Sequence, residues 1–250
     1  MYPVNSLQSD LSVYQQRSLQ STEAETGCCA FLGSLLEKIA KVFSDAFEWV
    51  KSLFSKPAAA EQTPTLNPAR VTPVAQRATT DDLINFYRSP ANTDNHGRTL
   101  MQIWAWDDNQ LEAVHNYIQW LFPNARPSGP NPTAPLLNDE MIQAFATDPV
   151  LRNNLHGSFL RMLRFYGLQL DEGTMQITRA PNAAARQAVW LTPGNHNHLR
   201  ITRILFCLNA LGLQRDAQAF IQILTDISQN EGRNAIGADT FQYWRNAARA

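Results

Sequence analysis

The chain has 250 residues, a formal net charge of −1 and 44% hydrophobic residues. This is enough apolar material for the core of one large domain or two small ones, and a nearly neutral chain has no general attraction for nucleic acid. All four lysines lie in the first quarter, whereas from Asp81 onward 14 arginines face 15 aspartates and glutamates. Arginine tolerates partial burial better than lysine, so this bias indicates ion pairs inside or between helices.

The cysteines and the N-terminus bear on the cellular location. Cys28, Cys29 and Cys207 match neither a disulfide framework nor a zinc-binding spacing, which predicts an intracellular, reducing compartment. The N-terminus lacks the basic and apolar regions of a Sec signal peptide, and no apolar run reaches the ~18 residues of a transmembrane helix. We expect neither a metal nor a cofactor, because the sequence carries no recognised motif for either.

The first two segments are a polar N-terminus and an amphipathic helix. Residues 1–29 are rich in Ser and Gln, which predicts disorder and also suits an uncleaved secretion signal. Residues 30–55 place apolar side chains on one half of a helical wheel and polar ones on the other, and their six charges exclude a bilayer crossing. Three interpretations stay open: the helix lies in a membrane interface, docks on its own domain, or pairs with a partner helix or itself.

The membrane interpretation rests on the aromatic face of this helix and on the two cysteines before it. A wide aromatic face suits the interface of a bilayer, and adjacent cysteines can carry acyl chains. The candidate membrane-anchor residues are Cys28, Cys29, Phe31, Leu35, Phe43, Phe47, Trp49 and Phe54.

Residues 56–79 carry four prolines and few large apolar groups, which predicts a semi-rigid Pro/Ala-rich linker. From residue 80 to residue 250 the pattern is helical throughout, with one brief extended candidate at MQITRA. Helix-start and helix-stop signals divide this part into about seven helices. We therefore predict an all-α fold, a single multi-helix globular domain preceded by an isolated amphipathic helix on the linker. The signals are caps at Thr80, Asp107, Asn138 and Asp148 with Pro149, and stops at Pro123, Gly167 and Gly212.

The segment HNYIQWLFP, residues 115–123, is the most aromatic stretch of this domain. We expect it to continue the helix capped by Asp107, which would place Trp120 opposite the aliphatic face. One interpretation is a central helix between two layers, with His115 bonded internally. The other makes Tyr117 and Trp120 the floor of a groove for a peptide or an aromatic ligand.

Two arginines, Arg200 and Arg203, share one side of a helix that is apolar nearly all round. A buried guanidinium needs a strong acceptor, so they form either a structural ion pair with a carboxylate or a site for an external anion. The similar Arg161 and Arg164 lie on the polar side of their helix and are expected in solvent. The pair His196 and His198 suits a cap or loop role better than a metal, since no third ligand stands nearby in sequence.

Several of these segments, in order, resemble the conserved domain of the opioid growth factor receptor family. They are Phe86-Tyr87-Arg88, HNYIQWLFP, Met162-Leu163 with Phe165-Tyr166-Gly167, Arg179-Ala180 with Asn182, and the run from His198 to Leu205. The resemblance covers about residues 80–250 and implies a helical domain. It also implies a receptor-type activity toward a small enkephalin-type peptide, linked to growth regulation.

The leading functional hypothesis is a non-enzymatic binding protein for a peptide or protein ligand. Its candidate ligand-binding residues are His115, Tyr117, Trp120, Arg200 and Arg203. A second hypothesis is a membrane-associated adaptor or delivered effector that binds a protein partner and contacts a membrane peripherally through residues 30–55. A third is an enzyme with histidine-based chemistry assembled across the fold.

Overall fold

The computed structural model describes residues 76–249, so the predicted N-terminus, the amphipathic helix and most of the linker lie outside the described residues. Within residues 76–249 the chain forms ten helices and one two-stranded hairpin. The helices are α1 (Thr80–Arg88), α2 (Leu100–Ala105), α3 (Asp108–Ala113), α4 (Ile118–Leu121), α5 (Asp139–Thr147), α6 (Pro149–Tyr166), α7 (Ala183–Trp190), α8 (His196–Ala210), α9 (Gln214–Gln229) and α10 (Ala238–Ala247). The strands are β1 (Leu168–Asp171) and β2 (Gln176–Arg179).

Most of the predicted helix ends are confirmed. Asn138 and Asp148 cap α5 and α6, with Pro149 at the first position of α6, and Gly167 ends α6 in the left-handed conformation at φ +75°. The start of α1 differs by one residue: Thr79 is the cap, and it exchanges two hydrogen bonds with Asp82 in a capping box.

The helix count exceeds the expected seven partly because the helix through HNYIQWLFP is broken. Helix α3 ends at Ala113, Val114 is extended at φ −89° and ψ 127°, and α4 begins only at Ile118. The expected continuous helix is therefore wrong, and with it the helical wheel that placed Trp120 opposite the aliphatic face. A further helix, α2, was not predicted, although Thr99 and Gln102 form a capping box at its start.

The extended candidate at MQITRA is confirmed as β2, which pairs antiparallel with β1 in the register Leu168 to Arg179. The turn between the strands is held by the Asp171 carboxylate, which accepts the N–H groups of Gly173 and Thr174. The described part of the chain is thus mostly helical, as predicted, with a small hairpin that an all-α description leaves out.

Helices α6 and α8 form the centre of the domain. Helix α6 packs on α1, α5, α7 and β1, while α8 packs on α7, α9 and α10. Eleven of the fifteen residues of α8 are buried, which confirms that this helix lies in the interior of the domain. The largest fully buried side chains are Trp120, Trp190, Trp244, Tyr87, Tyr117, Tyr166, Phe86, Phe122, Phe145, Phe159, Phe165 and Phe206. Across residues 76–249, no helix is both long and apolar enough to cross a membrane.

Candidate functional site

Arg200 lies beside the break between α3 and α4 and is only 5% exposed. It donates to the Leu111 carbonyl at 2.9 Å and to the Val114 carbonyl at 3.0 Å. These carbonyls end α3, where the helix itself leaves its last acceptors unpaired and favours a cation. Arg200 therefore caps a helix from 86 to 89 residues away in sequence, instead of forming the expected ion pair or an open anion site.

Arg203 has a similar role one turn further along α8. Its Nη1 donates to the Phe122 carbonyl at 3.0 Å, at the C-terminal end of α4. Burial among apolar side chains lowers the pKa of Arg203 to about 10. Arg203 as a whole is half-buried, and its guanidinium, like that of Arg200, reaches a main-chain carbonyl at a helix end.

Arg161 departs most from its expected place in solvent. It is 7% exposed and donates to the Trp104 and Trp106 carbonyls at 3.1 and 2.7 Å, at the C-terminal end of α2. It also forms an ion pair of 3.0 Å with Asp108. Its neighbour Arg164 is exposed, as predicted. In the two Arg-x-x-Arg segments, three guanidinium groups therefore point to the interior of the domain. The fourth, that of Arg164, lies at the surface.

Tyr117 and Trp120 belong to the core and do not form the floor of an open groove. Tyr117 is fully buried, its hydroxyl donates to the Leu111 carbonyl at 3.2 Å, and burial raises its pKa to about 12. Trp120 is 1% exposed, donates to Asn95 at 2.9 Å, and meets the Phe86 ring edge-on at 5.2 Å. The broken helix turns both side chains inward, which corrects the groove predicted at this place.

His115 remains exposed and lies against His196, with their ring centroids 4.8 Å apart. Nε2 of His196 is 3.2 Å from a Glu112 carboxylate oxygen, within ion-pair distance but without hydrogen-bond geometry. Burial and the nearby Arg200 guanidinium lower the pKa of both histidines, so both rings favour the neutral form. The structure thus brings His115 and Tyr117 close to Arg200, whose guanidinium lies 5.6 Å from the Tyr117 ring centroid, whereas the Trp120 ring packs in the core against Phe86.

His198 points away from His196 and into the core. Its Nε2 lies 3.0 Å from the Trp190 carbonyl, and its ring packs edge-on against Trp244. Burial lowers the pKa of His198, which also favours the neutral ring. Among the described residues, no group of three or more His, Cys, Asp or Glu side chains is placed to hold a metal ion.

An open groove of about 330 Å³ lies between α9 and α10. Ile221, Phe241 and Ala248 supply apolar surface, and two exposed arginines, Arg245 and Arg249, stand beside them. Its lining consists of Gln218, Ile221, Thr225, Gln229, Phe241, Arg245, Ala248 and Arg249. This lining has two positive charges and no carboxylate, so the groove suits a ligand with an apolar part and a negative charge.

A second pocket of about 230 Å³ lies where α6 meets β1 and the start of α7. Asp108, Arg161 and Arg164 form its charged wall. The remaining lining residues are Leu168, Gln169, Ala180 and Asn182. The sequence pattern did not indicate this pocket, because its walls come from four separate segments.

Residues 78–250 match the family model described as the opioid growth factor receptor (OGFr) conserved region. The chain belongs to the opioid growth factor receptor family. Its family region includes both pockets and every capping arginine described above.

Three curated relatives illustrate how far the similarity extends. The opioid growth factor receptor of Rattus norvegicus is 39% identical over 135 residues, 52% of this chain and 23% of that protein. The opioid growth factor receptor of Homo sapiens is 37% identical over 135 residues, which are 52% of this chain and 20% of that protein. The opioid growth factor receptor-like protein 1 of Mus musculus is 40% identical over 140 residues, which are 54% of this chain and 30% of that protein. The match therefore spans less than a third of each relative, and no solved structure matches significantly.

The motifs that carry the family resemblance are mostly core residues in this structure. Phe86, Met162 and Phe165 are fully buried, and Tyr87 is 1% exposed. The Tyr87 hydroxyl donates to the Leu121 carbonyl, which ties α1 to α4. Most of these motifs of the opioid growth factor receptor domain therefore specify its packing, whereas Ala180 and Asn182 line the second pocket.

Sequence reasoning missed the residues that line the groove between α9 and α10. Phe241 and Arg245 stand four residues apart on α10, and Ile221 and Thr225 stand four apart on α9. This spacing places each pair on one helix face, so a mixed apolar and cationic stripe was visible in the sequence. The pattern alone did not show that these two faces meet.

Proposed function

We propose that this chain is a non-enzymatic binding protein that receives a peptide in the groove between α9 and α10. The observation that carries the proposal is the lining of this groove, in which apolar surface lies beside Arg245 and Arg249 with no carboxylate among the lining side chains. Gln218 donates to the Ala248 carbonyl at 3.0 Å and links the two helices across one end. Membership of the opioid growth factor receptor family supports a receptor-type role linked to growth regulation.

The charge of the groove indicates how the peptide is oriented. A guanidinium forms strong, directional bonds with a carboxylate, and an apolar side chain of the ligand can bury surface against Phe241 and Ile221. The C-terminal carboxylate of a short peptide with an apolar last residue satisfies both requirements. An enkephalin-type peptide is the natural probe, given the family.

Isothermal titration calorimetry tests this with the full chain and two ligands, an enkephalin-type peptide with a free carboxylate and its C-terminal amide. The free acid should bind more tightly, and Arg245→Gln should weaken its binding by roughly fivefold to tenfold, because one exposed charge-assisted bond contributes about 1 kcal/mol. Arg215→Gln, on an exposed part of α9 outside the groove, should leave the affinity unchanged.

A blocking variant separates the groove from general charge effects. Thr225→Trp fills the groove without changing its charge, so it should abolish binding of both ligands. If both Arg245→Gln and Thr225→Trp bind the free acid like the parent chain, the groove is not the receptor site.

The amphipathic pattern of residues 30–55 supports a second role, that of a peripheral membrane adaptor. Liposome flotation of the full chain tests it. Phe43→Asp with Phe47→Asp places charges on the apolar face, and Ser44→Asp with Ser52→Asp adds the same charges to the polar face. Loss of flotation in the first variant alone is expected, and equal behaviour of the two contradicts the role. The intracellular, reducing location remains a prediction.

A further inference from the structure

The second pocket is formed by a close approach of two helices. Gly167 ends α6, and a Cβ added there would lie 2.8 Å from both the Ala183 Cα and the Arg186 Cβ of α7. Only glycine permits this contact together with φ +75°. The approach brings Arg161 and Arg164 of α6 next to Asn182 at the start of α7.

The junction carries more positive than negative charge. Asp108 forms ion pairs with Arg161 at 3.0 Å and with Arg186 at 3.3 Å. Arg164 adds a third guanidinium at the pocket wall and is exposed. Three cations around one carboxylate leave an excess of two positive charges. Arg186 itself does not line the pocket: its Nε donates to the Phe165 carbonyl at 2.8 Å, and its buried Nη2 has no hydrogen-bond partner.

Neutral donors surround this charge. Asn182 precedes α7 and lines the pocket, and its side chain makes no cap hydrogen bond. The Ala183 N–H donates to the Ala180 carbonyl at 2.9 Å, so the N–H groups that follow it are the ones without a capping acceptor. Gln169 contributes a further amide to the wall. The positive end of a helix, amide donors and guanidinium forks are the groups that proteins use to hold oxyanions.

We propose that this pocket binds the phosphate group of a small soluble phosphate monoester, with Arg164 as its principal charged contact and Asn182 as its neutral one. A dianion matches the excess of two charges, whereas a carboxylate would neutralise only one. The site shares no lining residue with the peptide groove, so its occupancy does not depend on the function proposed above.

Isothermal titration calorimetry on the full chain tests the site with inorganic phosphate, methyl phosphate and acetate at matched ionic strength. Inorganic phosphate and methyl phosphate should both bind, and acetate should bind at least about tenfold more weakly, because it carries one charge fewer. In a thermal melt, phosphate at about 100 times Kd should raise Tm by roughly 5–10 °C.

Two variants localise the effect. Arg164→Gln removes the exposed guanidinium and should weaken phosphate binding by about tenfold or more. Asn182→Asp places a carboxylate at the positive end of α7, where it is compatible with the fold, and should also weaken binding by about tenfold or more without lowering Tm in the absence of phosphate. Arg215→Gln is the matched control for charge and should keep full affinity.

Each other result counts against the site. Phosphate binding that survives in both variants, or a Tm increase of equal size in all four proteins, shows that phosphate acts elsewhere or as a bulk salt. Acetate that binds as tightly as phosphate overturns the dianion assignment, and failure of methyl phosphate to bind overturns the monoester. A parent chain that binds no phosphate in the millimolar range removes the site altogether.

Discussion

Two Arg-x-x-Arg segments, Arg161–Arg164 in α6 and Arg200–Arg203 in α8, differ in where their guanidinium groups lie. Arg200 and Arg203 both face inward and hold the carbonyl ends of the short helices α3 and α4. Arg161 does the same for α2, whereas Arg164 faces the pocket beside α7. Three positions are explained by the architecture of the domain, and the fourth is available to a ligand.

The comparison shows why arginine, and not lysine, accompanies this fold. Arg200 and Arg161 each reach two carbonyls of a helix end, which the planar fork of a guanidinium can do in one geometry. A similar use recurs at α5, where Arg152 donates to the carbonyls of Phe145 and Ala146 at 2.6 Å. The arginine bias therefore reflects main-chain capping as well as the ion pairs that composition indicated, which Arg88, Arg98, Arg161, Arg179 and Arg186 form.

The largest expected effect comes from removing an interior guanidinium. Arg200→Met keeps the apolar stem of the side chain but removes the guanidinium donor of the Val114 carbonyl and leaves the Leu111 carbonyl with only the Tyr117 hydroxyl, so it should lower the free energy of unfolding by about 2–5 kcal/mol. Urea unfolding followed by circular dichroism measures this. Arg200→Lys should recover only part of the loss, and Arg215→Met should stay within about 0.5 kcal/mol of the parent. Full rescue by lysine would contradict the two-carbonyl role.

The close contact between α6 and α7 beside Arg164 can be tested by adding a Cβ at Gly167. Gly167→Ala should lower the free energy of unfolding by about 2–4 kcal/mol, because the left-handed backbone and the contact with Ala183 both oppose a Cβ. Gly194→Ala is the matched control, since Gly194 has φ +70° but open space around it. Urea unfolding of both variants separates backbone strain from crowding. Equal losses would show that the close approach of α6 and α7 is not tight.

The stability of the domain is expected to depend on pH through His156, which lies on α6 before Arg161. The buried Asp216 carboxylate, 3.2 Å from His156 Nδ1, raises the pKa of His156 above its ordinary value of about 6.5. The folded state then holds the proton more tightly, so the stabilisation is complete below pH ~6.5 and is lost as the pH rises through the folded pKa. His156→Gln should remove this part of the pH dependence in urea melts between pH ~5.5 and ~8. A parent-minus-variant difference that does not change with pH would contradict it.

The smallest expected effect on stability is at Arg164, the exposed arginine of the two segments. Arg164→Gln should change the free energy of unfolding by less than about 0.5 kcal/mol, because the side chain is exposed and caps no helix. The same urea melts measure it beside Arg161→Gln, which should cost several times more, since Arg161 is buried and bonded to Trp104 and Trp106. Similar losses for the two variants would erase the distinction between interior and exterior guanidiniums.

Local signals in the sequence were sufficient for many helix ends and for the hairpin strand β2. Asn138, Asp148 with Pro149, and Gly167 act within one turn of their own backbone, so short patterns identify them. The break before Ile118 could not be predicted in this way. Residues 114–117 contain neither Gly nor Pro, and the carbonyls exposed by the break are satisfied by Arg200, far away in the chain.

The candidate site shows the same limit. Periodicity correctly marked the helix of Arg200 and Arg203 as buried, but their acceptors are main-chain carbonyls, which no residue type encodes. Trp120 was assigned to an outer face by a helical wheel that applies only to a continuous helix. The groove beside Arg245 depends on how α9 and α10 pack, which is a tertiary property.

The capping of α2, α3 and α4 by α6 and α8 has a consequence for how the domain folds. These helices have six, six and four residues, too few to persist in water before their partners arrive. Their capping bonds join residues 55 to 89 positions apart, so a large loop must close before either end gains stability. A domain that is helical by content should therefore fold with the slower kinetics of a mixed α/β protein, and α2 to α4 should order late.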